Sequence, residues 1–444
     1  MRDFATSDDP AVQAQLDRLA ALSLPQGRFG LETIRELLAR LGNPQRHIPP
    51  TFHVAGTNGK GSTCAYLTAI LTAQGYRVHS ATKPHLVRYN ERIRLAGKLI
   101  SDARLAEVLK QVLDVGEDLS PSFFEVTTAA MFVAFRDEPA DVCVIEVGLG
   151  GRFDATNVLE TAVSCGVASL GIDHEAFLLR EEPGVPQDPL ARIAFEKASI
   201  AHLGVPLVTQ DYPAPAAQAV TDTAAQLGAP LLMRNREWWA SSKADTIAYR
   251  DAFGELTLPL PALAGTHQAD NAALAVAMLR HQSTVAVSPE AIAQGIRSAR
   301  WPARLQLLGK GPLTSSAHHV SEVWLDGGHN PDAAQAIASH FARTGAKIDV
   351  VLGMMANKDA EHFIGLIAPI TARLIAVPVP GHESHTPEAL RSLAMVAGIE
   401  KVGTANDVSA ALHYLDHHAA SRVLIAGSLY LAGEVLSLNR EIPD

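Results

Sequence analysis

A glycine-rich segment that joins an apolar run to a helical run constrains this chain more than any other part of its sequence. Thr51–Ala55 (TFHVA) has the composition of a short buried strand, and Ser62–Gln74 is predicted to be a helix that Gly75 ends. The loop between them reads GTNGKG. The backbone N–H groups of such a loop and the N-terminus of the following helix can bind anions. The segment therefore predicts a site for a polyphosphate.

The loop departs from the usual P-loop pattern, in which four residues separate the first glycine from a Gly-Lys pair that Ser or Thr follows directly. Here two residues separate Gly56 from Gly59, and a glycine follows Lys60. The order of strand, loop and helix favours a phosphate site over a glycine turn with a surface lysine. We expect Lys60 to contact the outer phosphates and the hydroxyl of Ser62 or Thr63 to face a magnesium ion.

Strands and helices alternate along most of the chain, which predicts an α/β fold whose parallel sheets bind ligands at the carboxyl ends of their strands. Further strands are predicted at Arg77–Ala81, Asp141–Val147, Ser164–Leu170 and Pro206–Gln210, with a hairpin at Thr246–Arg250 and Glu255–Leu260. Helices are predicted at 11–24, 31–41, Ser101–Leu113, Phe123–Arg136 and Gly265–Arg280.

A second α/β pattern begins after a proline-containing junction at 299–304. Its predicted strands are Val323–Leu325, Ile348–Leu352, Leu374–Val377 and Val423–Ala426. Because 444 residues are too many for one ordinary core, we expect two domains, 1–298 and 299–444. The polar, proline-rich segment 181–189 is predicted to be a surface loop.

Composition and charge exclude several classes of protein. The net charge of −10 argues against nonspecific nucleic-acid binding. The N-terminal residues have no apolar signal core, and the chain has no apolar run long enough for a membrane span. Its three cysteines, Cys64, Cys143 and Cys165, lie in apolar surroundings and are predicted to be buried thiols. We therefore expect a cytoplasmic protein with neither a nucleic-acid nor a membrane partner.

Polar residues that could bind a ligand or take part in a reaction lie at the ends of predicted strands. Glu146 ends one apolar strand, and Asp173 and His174 follow another. A carboxylate and an imidazole near a phosphate loop are typical of a magnesium ion shared with ATP. Lys197 lies in a largely apolar helix, where the residues alone indicate only a snorkelling or paired lysine. In the last third of the chain lie Arg304, Asp326 and His329. Each of these residues could be a helix cap, a group that supports a site or a surface cation as readily as a part of a binding site.

Taken together, these motifs resemble the bacterial folylpolyglutamate synthase/dihydrofolate synthase family, a branch of the Mur ligase superfamily. The resemblance spans nearly the whole chain. The motifs that carry it, in chain order, are FGLE, LGNPQ, HVAGTNGKGST, PHLVRYNERI, EVGLGGRFDATN, GIDHEAF, IAFEKASI, GTHQADNAALA, WPARLQ, LDGGHNP and GSLYLAGE.

The resemblance implies a two-domain Mur-ligase-like fold, with a P-loop N-terminal domain and a smaller Rossmann-like C-terminal domain. It implies a ligase that phosphorylates a pteroate or folate carboxylate with ATP and joins it to the amine of glutamate, with Mg²⁺ as cofactor, as a monomer. The implied ATP-binding residues are Thr57, Asn58, Gly59, Lys60, Gly61, Ser62, Asn271, Arg304, Asp326 and His329.

The resemblance also implies the remaining roles. Glu146, His174 and Ser62 correspond to metal ligands, and Lys197 to a lysine that is carbamylated in the family. Lys60, His174 and Lys197 are the implied catalytic residues. The implied folate-binding residues are Arg28, Phe29, Gly30, Ser122, Phe123, Phe124, Glu125, Phe153, Asp154 and Ala155.

One position departs from the family pattern. Family members usually have serine, a metal ligand, where this chain has Lys83. A charged lysine cannot bind Mg²⁺. Either Thr82 or water replaces the serine, or the metal site is weaker and Lys83 itself faces phosphate.

Two alternatives compete with this interpretation. One is a Mur-type ligase that adds amino acids to a UDP-linked cell-wall precursor. The short lead-in of only about fifty residues before the phosphate loop argues against this alternative. The other is a non-catalytic ATP- or folate-binding relative, for which Lys83 is the only indication.

Overall fold

The chain forms two compact α/β units in a computed structural model that describes residues 6–22, 30–173, 175–343, 345–417 and 422–444. The first unit comprises Met1–Ala262 and Gln268–Arg300, and the second comprises Leu263–His267 and Trp301–Asp444. Both units contain mainly parallel sheets flanked by helices. The predicted two-domain α/β class is therefore confirmed.

An eight-stranded sheet forms the centre of the first unit, in the order β4-β3-β2-β5-β1-β6-β7-β8. Six strands run parallel, and β3 and β4 form an antiparallel edge that the sequence analysis missed. β1 and β5 are buried along their whole length because helices cover both faces of the sheet. The strands are β1 (Thr51–Ala55), β2 (Val78–Ala81), β3 (Ile93–Leu95), β4 (Lys98–Leu99), β5 (Val142–Glu146), β6 (Ala162–Val167), β7 (Leu207–Thr209) and β8 (Leu231–Met233).

Helices pack in pairs against this sheet: α4 against α5, α7 against α8 and α3 against α10. Side-chain caps begin several of them, such as Ser101 at α4 and Ser288 at α10. The helices are α1 (Pro10–Ala21), α2 (Glu32–Arg40), α3 (Lys60–Ala73), α4 (Asp102–Gly116), α5 (Phe123–Asp137), α6 (Glu175–Leu178), α7 (Pro189–Ala198), α8 (Ala214–Leu227), α9 (His267–Arg280) and α10 (Pro289–Ser298).

The predicted hairpin belongs to a separate antiparallel sheet with the order β11-β10-β9. Its strands are β9 (Trp239–Ser242), β10 (Thr246–Asp251) and β11 (Gly254–Pro259). The side chain of Asp251 ties this sheet to α9, because it accepts two hydrogen bonds from Arg280, at 2.6 and 2.7 Å.

A six-stranded sheet forms the second unit, in the order β12-β13-β17-β14-β15-β16, with only the β12–β13 pair antiparallel. The strands are β12 (Gln306–Leu307), β13 (Glu322–Leu325), β14 (Ile348–Leu352), β15 (Thr371–Ala376), β16 (Lys401–Thr404) and β17 (Arg422–Ala426). The helices are α11 (Pro312–Ser315), α12 (Pro331–Ala342), α13 (Ala360–Ile367), α14 (Pro387–Val396), α15 (Val408–Asp416) and α16 (Leu429–Asn439).

The three cysteines are buried free thiols, as their apolar surroundings predicted. Burial raises the pKa of each of them. Of the helices in the part of the chain that the structure describes, none has the length and apolar character that crossing a bilayer requires.

Candidate functional site

The glycine-rich loop leaves the carboxyl end of β1 and enters α3 at Lys60. Gly56 and Gly59 have φ angles of 148° and 84°, a region that side chains disfavour. A Cβ atom at Gly56 would lie 2.9 Å from the Cβ of Ala168, and one at Gly59 would lie 2.4 Å from Oδ1 of Asn271. Glycine is therefore required at both positions, and Asn271 lies directly beside the loop.

Hydrogen bonds within the loop and to the segment after β6 fix its shape. The ammonium of Lys60 donates to the carbonyl oxygens of Gly56 and Thr57, at 3.0 and 3.2 Å. The hydroxyl of Thr57 donates to the carbonyl of Gly171 at 2.9 Å and accepts from the backbone N–H of Gly171 at 3.1 Å. Ser169 donates to the carbonyl oxygen of Asn58 at 3.1 Å. The side chain of Lys60 thus folds over its own loop, where a phosphate could attract it outward.

Glu146 ends β5 and is 3 % exposed. One of its oxygens accepts a hydrogen bond from the backbone N–H of Lys83 at 3.1 Å. Ser62, another predicted metal ligand, is buried in the first turn of α3. A carboxylate and a hydroxyl are hard oxygen donors of the type that Mg²⁺ prefers, so the residues present fit this ion. His174, the third predicted ligand, lies outside the described residues.

The side chain of Lys83 points towards the loop that follows β5. A Cβ atom placed on Gly148 would lie 3.5 Å from Nζ of Lys83 and 3.1 Å from Oδ2 of Asp154, so both groups approach the same glycine. Burial lowers the pKa of Lys83, while the negative charges of Asp154 and Glu146 oppose that shift. Lys83 therefore brings a half-buried positive charge close to the predicted metal and folate residues.

Asp154 holds the loop after β5 in place. Its carboxylate accepts hydrogen bonds from the backbone N–H groups of Gly148 and Leu149, both at 3.0 Å, and from Thr156. Burial would raise the pKa of Asp154, but the charge of Lys83 and these hydrogen bonds outweigh it and lower the pKa. The carboxylate is thus kept ionised.

Lys197 lies in the last turn of α7 and is 4 % exposed. Burial, together with the positive charge of Lys60, lowers its pKa to about 7, and the carboxylates of Asp173, Asp154 and Glu196 oppose the shift. The loop after β5 packs on the same turn, because Arg152 N–H donates to the carbonyl of Glu196 at 2.8 Å. The phosphate loop, the loop after β5 and the C-terminal end of α7 therefore meet around Lys197.

The predicted folate residues divide into exposed and structural groups. Phe124 and Phe153 are 37 % and 38 % exposed, an uncommon position for large aromatic rings. Ser122 and Glu125 instead form a capping box at the start of α5, and Phe123 packs against the core. Ala155 is buried and Gly30 is half-buried, whereas Arg28 and Phe29 lie outside the described residues.

Three predicted ATP-binding residues meet at the carboxyl end of β13 in the second unit. Asp326 is 7 % exposed and accepts hydrogen bonds from the backbone N–H groups of Leu305 and Gly328, at 2.8 and 2.7 Å. Nδ1 of His329 contacts the carbonyl oxygen of Gly327 at 2.9 Å. A Cβ atom at Gly327 would lie 3.0 Å from a guanidinium nitrogen of Arg304.

The sequence analysis gave no role to Arg92, the second-last residue of the PHLVRYNERI motif. Arg92 is 3 % exposed, donates to Nδ1 of His85 at 2.9 Å and stacks over the rings of Tyr89 and Phe123. Its charge contributes to lowering the pKa of Lys83. The signal in the sequence was an arginine directly before a strand, too common a pattern to single out.

Comparisons with known proteins match this architecture. The Mur ligase, glutamate ligase domain model matches residues 303–429. The Escherichia coli dihydrofolate synthase/folylpolyglutamate synthase is 33 % identical over 414 residues, which cover 92 % of this chain and 91 % of that protein. This chain belongs to the dihydrofolate synthase/folylpolyglutamate synthase family.

Solved structures of this family extend the match to the whole fold. The structure of E. coli FolC in complex with DHPP and ADP has a TM-score of 0.85 and 30 % identity, and the match covers 98 % of both chains. The Yersinia pestis bifunctional folylpolyglutamate synthase/dihydrofolate synthase, complexed with AMPPNP and Mn ion, has a TM-score of 0.82 and 30 % identity over 96 % of this chain and 97 % of that one. Both units of this chain therefore have counterparts in enzymes of the family.

Proposed function

We propose that this chain is an ATP-dependent ligase that joins L-glutamate to dihydropteroate, to folates as γ-linked glutamate, or to both. A carboxylate is a poor electrophile. Transfer of the γ-phosphoryl group of ATP to the carboxylate gives an acyl phosphate and ADP. Attack by the glutamate amine then forms the amide bond and releases phosphate, with loss of a proton from nitrogen. Membership of the family supports this reaction.

The observation that carries the proposal is the meeting of the phosphate loop with the buried Lys197. Glycine at Gly56 and Gly59 lets the backbone of the loop come close to a polyphosphate, which the N-terminus of the following helix can bind. Lys60 begins the helix behind it and carries the charge that outer phosphates need. Lys197 lies close enough for the charge of Lys60 to lower its pKa.

The protein groups would act mainly by positioning and by neutralising charge. In phosphoryl transfer, the developing negative charge is stabilised by fixed donors and cations, which removes several kcal/mol from the barrier. Lys60 and the N-terminus of α3 would serve the phosphates, and Asn271 would support the loop from the side. Asp326, Arg304 and His329 of the second unit are proposed to bind the remainder of the nucleotide.

Two exposed aromatic rings support a folate site in the first unit. Phe124 and Phe153 offer flat apolar surfaces on which a pterin ring could stack, and Asp154 is an ionised carboxylate that could accept hydrogen bonds from ring nitrogens. Arg152 lies over the ring of Phe153, with 4.3 Å between its guanidinium carbon and the ring centroid. This contact fixes the orientation of that ring.

Glu146, His174 and Ser62 are the residues that would hold Mg²⁺. Once bound, the ion would offset phosphate charge and polarise the transferred phosphoryl group. The Y. pestis relative carries Mn with AMPPNP, which supports a divalent ion in the site. Lys197, once carbamylated, would add an anionic group beside these residues.

The deciding experiment measures glutamate-dependent ADP release by the purified chain with dihydropteroate and with tetrahydrofolate side by side. We expect release that requires glutamate and at least one of the two acceptors. Release with both acceptors would show both activities, and release with one would assign the chain to that activity. Omission of glutamate corrects for background ATP hydrolysis.

Lys60→Ala serves as the inactive control in the same assay. The proposal fails if the folded wild-type chain releases no glutamate-dependent ADP with either acceptor. Binding of ATP and folate without turnover would instead identify a non-catalytic relative. Turnover with a UDP-linked precursor and not with a pteroate would identify a Mur-type ligase.

A further inference from the structure

A cluster of metal-binding side chains lies on β1, on β6 and in the connection after α7, and it includes none of the residues assigned to the proposed active site. Among the residues that the structure describes, one group of His, Cys, Asp and Glu side chains has metal-site spacing, and it consists of His53, Cys165 and His202. One donor atom of each residue lies within 4.8 Å of the others. His53 and Cys165 are paired residues on the neighbouring strands β1 and β6, and His202 follows α7.

The hydrogen bonds around His53 determine which of its ring nitrogens carries the proton. The hydroxyl of Thr156 donates its single proton to Asp154, so it must accept from Nε2 of His53, which lies 2.8 Å away. Nδ1 is therefore the unprotonated nitrogen. A donor to a hydroxyl on one ring nitrogen and a free lone pair on the other is the arrangement of a metal-binding histidine.

Two ring nitrogens in the cluster are buried and have no hydrogen-bond partner in the described structure, Nδ1 of His53 and Nε2 of His202. Buried polar atoms in folded proteins are nearly always paired, so each of these atoms requires an explanation. His53 is fully buried, whereas His202 is only half-buried and lies in the connection between α7 and β7. A ligand can therefore approach from the side of His202.

The third candidate ligand is the thiol of Cys165, for which the structure gives one hydrogen bond. The Sγ of Cys165 donates to the carbonyl oxygen of Ile200 at 3.2 Å. Burial raises the pKa of Cys165 to about 12, and burial together with nearby His202 lowers the pKa of His53 to about 3. The hydrogen bonds of His53 leave Nδ1 with a lone pair for a cation, and the Cys165 thiol, which donates to Ile200, loses its proton when a cation replaces it.

We propose that His53, Cys165 and His202 form a binding site for one Zn²⁺ ion. Two imidazole nitrogens and one thiolate are a ligand set that Zn²⁺ accepts and that Mg²⁺ does not, because Mg²⁺ prefers oxygen. In tetrahedral zinc sites the ligand atoms lie roughly 3.5 Å apart, a spacing compatible with three donor atoms that all lie within 4.8 Å of one another.

Binding of Zn²⁺ to the cluster would release one proton. The Cys165 thiol loses its proton to solvent as the S–Zn bond forms, and the two imidazoles bind through lone pairs that already exist. The carbonyl oxygen of Ile200 loses its hydrogen bond from the thiol and becomes available as the fourth ligand. Zn²⁺ in this position would join β1, which leads into the phosphate loop, to β6 and to the segment five residues after Lys197. Its role would be structural.

Cobalt provides the test, because a Co²⁺ ion bound to a thiolate absorbs in the near ultraviolet and replaces zinc in such sites. The full chain, stripped with a chelator and titrated with Co²⁺, should gain this absorption at one equivalent and lose it when Zn²⁺ is added. Cys165→Ala should lack the band, whereas Cys143→Ala, which removes a buried thiol from neighbouring β5, should keep it.

His202→Gln is a second test variant that can be used if Cys165→Ala does not fold. His202 is half-buried and lies outside the strands, so this substitution should leave the sheet intact. This variant should weaken Co²⁺ binding at least tenfold. One equivalent of Zn²⁺ should raise the melting temperature of the wild type and not that of Cys165→Ala. The proposal is overturned if the wild type shows no thiolate band, or if Cys165→Ala keeps it. Because none of these readouts involves ligation, they are independent of the proposed activity.

Discussion

At the scale of single residues, the site depends on lysines whose surroundings differ. Lys60 is half-buried and bonds to loop carbonyls, Lys197 is buried among charges of both signs, and Lys83 approaches Asp154. A sequence pattern cannot distinguish these three environments, because each depends on side chains that are distant along the chain.

Replacement of Lys60 by alanine should abolish ligation and leave the fold intact. Only a cation at this position can neutralise the outer phosphates, and loss of one such group typically reduces the rate by about 10²–10³ or more. Glutamate-dependent ADP release, with circular dichroism to monitor folding, measures both effects. Lys98→Ala, at an exposed lysine of β4, is the matched control. Near-normal turnover by a folded Lys60→Ala enzyme would refute the assignment.

Lys83→Ser should lower the Mg²⁺ concentration needed for half-maximal ligation. A serine restores an oxygen ligand and removes an ammonium that repels the cation. Because water can fill a vacant ligand position, the change in the Mg²⁺ requirement should be modest. The change in ATP binding should be smaller still. An unchanged magnesium dependence with a raised KM for ATP or folate would instead identify Lys83 as a substrate-binding cation.

Lys197 is predicted to be carbamylated in the active enzyme. Carbon dioxide reacts with the neutral amine, and a pKa of about 7 makes that form available at neutral pH. At a fixed concentration of dissolved CO₂, modification should increase as the pH rises through 7, because the neutral fraction increases. A high-resolution map from crystals grown with bicarbonate and Mg²⁺ should show the added carboxylate.

Activity provides a second test of this modification. Lys197→Ala should be nearly inactive and partly rescued by a small carboxylic acid, and Lys110→Ala, at an exposed lysine, should behave like the wild type. A plain ammonium in the map, under the conditions stated above, would count strongly against carbamylation.

At the scale of elements, strands with continuous apolar runs and the hairpin of β10 and β11 were predictable, whereas the short strands β3, β4 and β12 were not. β1, β5 and β14 are fully buried, so most of their residues are apolar and stand out in the sequence, although each strand also carries a buried polar residue, such as His53, Glu146 and Asp349. The three-residue strand β3 and the two-residue strand β12 carry no such signal, because pairing with a neighbour alone determines them. The start of α3 was placed two residues late, since the glycine that precedes Lys60 acts as its N-cap.

Asp251→Ala should destabilise the first unit by about 3 kcal/mol, because it leaves the half-buried guanidinium of Arg280 without its partner and removes a fully buried carboxylate. The side chain of Asp251 is 0 % exposed, and it also accepts from Tyr249 and from the backbone N–H of Phe253. Urea unfolding followed by tryptophan fluorescence measures the change.

The control for this substitution breaks an exposed ion pair. Arg77→Ala removes a contact with Asp141, in which the two side chains are 58 % and 37 % exposed, and should lower the free energy of unfolding far less than Asp251→Ala. Equal losses for the two variants would show that burial does not determine the strength of the Asp251 contact.

At the scale of the whole molecule, each unit has its own sheet and its own hydrophobic core. In the second unit the core includes Val350, Phe363 and Leu424, from the central strands and a covering helix. A core of this kind can support independent folding. Its sheet has six strands, of which five are contiguous and parallel.

Residues 301–444, expressed alone, should therefore fold cooperatively and show no glutamate-dependent ADP release. The fragment retains Asp326, Arg304 and His329 but lacks the phosphate loop. Thermal unfolding followed by circular dichroism, together with the ADP assay, checks both parts. A fragment without a cooperative transition would show that the second unit needs the rest of the chain.

The sequence by itself determined the phosphate loop, the alternation of strands and helices and the family, because these depend on residues adjacent along the chain. Tertiary structure alone decided that Lys197 lies near Lys60 and that the ammonium of Lys83 lies near the carboxylate of Asp154. It also decided that His53, Cys165 and His202 meet. The physical reason is that charge, burial and ligand geometry depend on distances in space, which the pairing of β1 with β5 and β6 creates from segments about a hundred residues apart along the chain.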